Sequence, residues 1–61
     1  MKRQKLLKEI IKRGAIFVRH GAKHDIYENP QTNTSTQVPR HTEINELVAK
    51  AIIKFFSLIN I

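Results

Sequence analysis

Ala15-Ile16-Phe17-Val18-Arg19-His20-Gly21-Ala22-Lys23-His24-Asp25-Ile26-Tyr27-Glu28 reads as two strands joined by a tight turn. Ile16, Phe17 and Val18 are β-branched or aromatic, which suits a pleated surface. Gly21 and Ala22 form the connection, where a glycine can take the positive φ that a hairpin favours. The first strand is expected over residues 15–20 and the second over 23–28. Alternation then sends His24, Ile26 and Glu28 to one face and Lys23, Asp25 and Tyr27 to the other. Which face is buried stays open. The turn also gathers chemistry: Lys23 can hold a phosphate as a point charge, and His24 can move a proton near neutral pH.

Working outward, Asn29-Pro30-Gln31-Thr32-Asn33 is turn chemistry. A third strand is expected over residues 34–38, ended by Pro39, which cannot donate to a ladder. Arg40, His41 and Thr42 make a basic connection. Before the hairpin, residues 2–13 read as a helix with Leu6, Leu7, Ile10 and Ile11 on one stripe. Gly14 is its left-handed stop. After the third strand, Asn45 suits an N-cap and Glu46 the first turn. Leu47, Val48, Ala51, Ile52, Phe55 and Ile59 are expected to form that helix's core stripe. Ile53 and Phe56 fall to its side, where they complete a small core or form a partner surface, the latter favoured. The pattern is helix, three strands, helix. It predicts an α+β, α-β-β-β-α two-layer sandwich: an antiparallel three-stranded sheet with two helices on one face.

The bulk numbers restrict function. Sixty-one residues make one domain, 1–61, that buries only about 60% of its unfolded surface. A deep substrate cavity does not fit. Eleven Lys and Arg against five Asp and Glu give a formal charge of +6, which favours an anionic partner. With no cysteine, disulfides, thiolate metal sites and a thiol nucleophile drop out, and a cytoplasmic setting is favoured. The basic start lacks the apolar region of a signal peptide, and the apolar C-terminal run is too short to cross a bilayer. No membrane association is therefore expected. His20, His24 and His41 lack a carboxylate set at ligand spacing, so no metal is expected. Two glycines cannot build a phosphate loop, no serine sits in a nucleophile elbow, and no cofactor is implied.

RNA cleavage survives this elimination, because RNA supplies its own nucleophile in the 2′-hydroxyl. A protein need only remove that proton, protonate the leaving oxygen and neutralise the phosphate. One or two histidines with a few cations suffice. A histidine in a strand is also an ordinary structural residue, and composition alone favours that plainer reading.

Two runs carry a family resemblance. Gly21, a two-residue spacer, His24, two more residues and Tyr27 form a pattern similar to that of HicA toxins from bacterial and archaeal toxin–antitoxin pairs. Val38-Pro39-Arg40-His41-Thr42-Glu43-Ile44 resembles that family's strand-to-helix junction, and Leu47-Val48-Ala51-Ile52-Ile53 its last helix. The likeness extends over nearly the whole chain. It implies a fold like a double-stranded-RNA-binding domain. It implies the toxin of a type II pair: a metal-independent endoribonuclease cleaving mRNA, with His24 catalytic, silenced by a HicB-type antitoxin. Such a protein would stand alone as a monomer or within a toxin–antitoxin hetero-oligomer. The apolar tail from Phe55 to Ile61 departs from what such a toxin's end would carry.

Beside His24, Lys23 reads equally as a phosphate contact or a solvated hairpin charge. Arg19 and Arg40 are phosphate-binding candidates, and Gly21 serves the turn. His41 is a second proton shuttle or, more simply, a surface residue. His20 has no assigned catalytic role, and Tyr27 reads as packing. Two other functions fit the composition. A non-catalytic double-stranded-RNA-binding module would read A-form shape and phosphates without cutting. A basic amphipathic helix over residues 2–13 would also suit an anionic lipid surface, although the hairpin signals favour a folded domain.

Overall fold

The computed structural model describes residues 1–57. Helix α1 (Arg3–Lys12) is followed by strands β1 (Ile16–His20), β2 (His24–Asn29) and β3 (Thr34–Pro39), then by helix α2 (Glu46–Phe55). The strands form one antiparallel sheet in the order β1-β2-β3. This is the expected α+β arrangement, each hairpin following directly in sequence. Among the described residues, no helix is long and apolar enough to cross a membrane.

Both helices cover one face of the sheet. Alternate residues of β2 are buried, and they are Asp25, Tyr27 and Asn29. Tyr27 and Val38 of the sheet join Leu6 and Ile10 of α1, Ala49 and Ile52 of α2, and Ala15, Ile44 and Phe56 in one core. His24, Ile26 and Glu28 therefore belong to the helix-free face. Each fully buried large side chain here contributes about 1.5–3 kcal/mol relative to exposure.

The helix phases differ from the expected stripes. On α1, Leu6 and Ile10 are buried, but Ile11 is 55% exposed. On α2, the buried row is Ala49, Ile52 and Phe56, with Ile53 partly buried against it. Leu47 is 78% exposed and Val48 is also in solvent. Phe56 is thus core, not a partner surface. The reason is that α2 is apolar on two sides, so its sequence allows two phases. The small Ala49 and the bulky Phe56 together fill the space beside α1, which Leu47 and Val48 would not. Ile59 of the expected stripe lies outside the described residues.

Several terminations follow their residue chemistry. Gly14 takes φ 98° and ends α1 as expected. Asn45 caps α2, its side-chain oxygen accepting from Leu47 N at 2.8 Å and Val48 N at 3.4 Å. Asn33 takes φ 56° in the β2–β3 turn, a conformation that asparagine tolerates. Pro39 is the last residue of β3, opposite His24, on an edge strand where a missing N–H disturbs little. Asn29 is buried but satisfied: its amide donates to Phe55 O at 3.1 Å and its oxygen accepts from Gln31 N at 3.1 Å. One turn residue therefore also binds the end of α2. The N-terminus is held by a bridge between Lys2 and Glu43 and by Arg3 N donating to Thr42 O at 2.9 Å.

Candidate functional site

His24 opens β2, half-buried on the helix-free face. Gly21 N donates to His24 O at 2.6 Å and closes the turn. A Cβ on Gly21 would lie 2.8 Å from that same oxygen. Gly21 is thus required by close approach. Gly21 does not take the positive φ expected of it; of the two glycines only Gly14 does.

A bulge in β1 decides what stands beside His24. Phe17 pairs with Tyr27, yet Arg19 pairs with Ile26 and His20 with Asp25, so the register slips at Val18. Strict alternation would turn Arg19 toward the helices and His20 away from them. The extra residue reverses both, which is how bulges re-aim side chains. Arg19 consequently joins Gly21, Ala22, Lys23, His24 and Gln37 around a shallow cleft of about 340 Å³. Of the sequence candidates, Arg19, Gly21, Lys23 and His24 are brought together there.

The other face holds a group that sequence reasoning missed. Asp25, the chain's single aspartate, is buried and surrounded by cations. Arg3 Nη2 donates to its Oδ2 at 2.6 Å. His20 Nδ1 lies 2.7 Å from Oδ1, a carboxylate oxygen that can only accept. Arg40 Nε is 3.7 Å from Oδ1. The His20 hydrogen bond, helped by the charges of His20, Arg40 and Arg3, holds the Asp25 carboxyl below the ordinary carboxylate range despite burial. The carboxylate in turn fixes the imidazole of His20, whose side chain is otherwise largely exposed.

Arg40 therefore has structural work. Its Nη2 donates to Gly21 O, so it links the hairpin turn to Asp25 and lines a separate cleft with Lys2, Arg3, Gln4 and Thr42. It does not line the cleft around His24. His41 is exposed in the connection after β3 and is not part of that cleft either. Tyr27 packs edge-on against Phe17 with ring centroids 5.5 Å apart, in keeping with a packing role. Among the described residues, no three His, Cys, Asp or Glu side chains converge as a metal-ligand set.

Chemically, the His24 cleft offers one proton-transfer group, two cations and a polar amide on an open surface. It fits an extended anionic chain better than an enclosed small molecule. No protein-family model matches the sequence, and no curated protein or solved structure matches it.

Proposed function

We propose that this protein is a metal-independent endoribonuclease of the HicA type, the toxin of a toxin–antitoxin pair. The observation that carries this reading is the convergence of His24, Lys23 and Arg19 on one shallow cleft of the helix-free sheet face. Lys23 and Arg19 hold the scissile phosphate and offset the charge that develops on it. His24 accepts the proton of the neighbouring 2′-hydroxyl, whose oxygen attacks phosphorus. The bond from phosphorus to the 5′-oxygen breaks, and that oxygen takes a proton from imidazolium or water. The products are a 2′,3′-cyclic phosphate and a free 5′-hydroxyl.

The partner that silences it would be a HicB-type antitoxin with acidic groups covering the basic cleft. Arg40 supports the site indirectly, by holding Gly21 from behind. A cytoplasmic location follows from an mRNA substrate. The competing reading is a non-catalytic double-stranded-RNA-binding module of similar element order. The start of α2, Asn45-Glu46-Leu47, lacks the lysine cluster such a module would place there.

Induced expression of wild type beside His24→Ala, with total RNA compared, tests the proposal. Growth arrest and mRNA loss only in the wild type are expected. Purified wild type should also cut RNA in the presence of chelator and leave cyclic-phosphate ends. Equal arrest by a folded His24→Ala protein would remove His24 from the chemistry. Salt-sensitive duplex binding without cleavage, indifferent to His24, would favour the binding module.

A further inference from the structure

His24 and Gln37 do not serve one cleft alone. Both also line a larger groove, of about 720 Å³, between the outer edge of β3 and α2. Its far wall is Val48, Ala51 and Phe55. That wall exists because α2 turns Ala49, Ile52 and Phe56 to the core and leaves an apolar row outside. Phe55 is held edge-on by buried Phe56, ring centroids 5.1 Å apart. The β3 wall is polar: Ser35, Thr36 and Gln37 bring hydroxyls and an amide. Alternate backbone groups of an edge strand also point outward, free to pair.

Two adjoining hollows thus share two residues. One is cationic; the other is apolar on one wall and hydrogen-bonding on the other, and both are open to solvent. A nucleotide has the same division, an anionic phosphate joined to a flat, apolar-faced base with polar edges.

We propose that the α2–β3 groove is a base-binding subsite, which receives one unstacked nucleobase next to the phosphate held in the His24 cleft. This rests on the ribonuclease reading for its substrate and deepens it, because the base must be splayed out of a helix. Val48, Ala51 and Phe55 receive the base faces, and Gln37 reads an edge. Gln37 also lies between base and phosphate, so it couples which base is bound to where the backbone sits against His24. The substrate is therefore single-stranded RNA with a preference at one position beside the cut.

The full chain, labelled with ¹⁵N, is titrated with 2′-O-methyl RNA oligonucleotides, which bind without offering the attacking hydroxyl, and with abasic oligonucleotides of equal charge. The base-bearing RNA should move the amides of Gln37, Val48, Ala51 and Phe55 together with Lys23 and His24. The abasic chain should move only Lys23, His24 and their neighbours. Phe55→Ala, which removes the aromatic ring from the groove wall, should weaken the base-bearing RNA about tenfold or more and leave the abasic chain unchanged. Equal shift maps for the two chains, or α2 amides that no RNA moves, overturn the subsite and leave the groove to a protein partner. None of these readouts needs cleavage. Failure of the ribonuclease reading would show separately, as wild-type RNA ends identical to those of His24→Ala.

Discussion

At the residue scale, Asp25 and Gly21 fix the frame on which His24 sits. Asp25 is drawn below the ordinary carboxylate range chiefly by its hydrogen bond with His20. A carboxyl depressed by folding stabilises the native state above its unfolded pKa, near ~3.9, and that stability is lost as pH falls through the folded value. Asp25→Asn should therefore lower the melting temperature at pH 7, leaving Arg3 and Arg40 facing a neutral amide. The gap to wild type should close in acid, where both proteins carry a neutral side chain. Thermal melts of the two proteins across this range decide it; a gap of constant size would mean that charge contributes nothing at this position. Gly21→Ala tests the turn. The added methyl meets His24 O at 2.8 Å, and crowding of this kind costs about 1–3 kcal/mol. Because the clash falls on the backbone of His24, any nuclease activity should drop further than denaturant unfolding alone accounts for. Full activity in Gly21→Ala would show that the close approach does not position His24.

At the element scale, α2 separates what periodicity reveals from what packing decides. Phe56→Ala removes the largest fully buried side chain and should cost about 3–5 kcal/mol. Leu47→Ala, at a 78% exposed position, should stay within about 0.5 kcal/mol. Chemical denaturation of the two variants distinguishes the phases, since the stripe expected from sequence ranks them the other way. The order of elements was legible because each boundary has its own chemistry: Gly14 after α1, Asn45 before α2, Pro30 and Asn33 between β2 and β3. The contiguous part of the site, Gly21 through His24, was legible for the same reason. The rest was not. An apolar run such as Leu47 to Phe56 supports two helical phases, and only the partner surface selects one. A period-two reading cannot register the extra residue at Val18, so the sides taken by Arg19 and His20 were hidden. The Asp25 cluster joins residues 22 apart in the case of Arg3, a separation that spacing rules do not reach.

At the scale of the whole molecule, the formal charge of +6 is spread over both sides of the sheet. Arg3 and Arg40 are tied to Asp25, and Arg13 to Glu9 at 2.8 Å. Exposed Lys5, Lys8 and Lys12 lie on α1, on the helix-covered side. Arg19 and Lys23 lie at the His24 cleft on the other side. Each phosphate contact to a single strand adds about −0.7 to the slope of log K against log salt. Binding of single-stranded RNA at the cleft through Arg19 and Lys23 should thus show a slope near about −1.4, falling by about 0.7 in Lys23→Ala. Lys8→Ala and Lys12→Ala should leave it unchanged. Fluorescence anisotropy over a series of KCl concentrations, in the His24→Ala background so that the RNA survives, measures all four slopes. A loss of slope in the α1 variants with none in Lys23→Ala would move the RNA to the helical face. The His24 cleft, lined by Arg19 and Lys23 and by no residue of α1, would then not be the phosphate site.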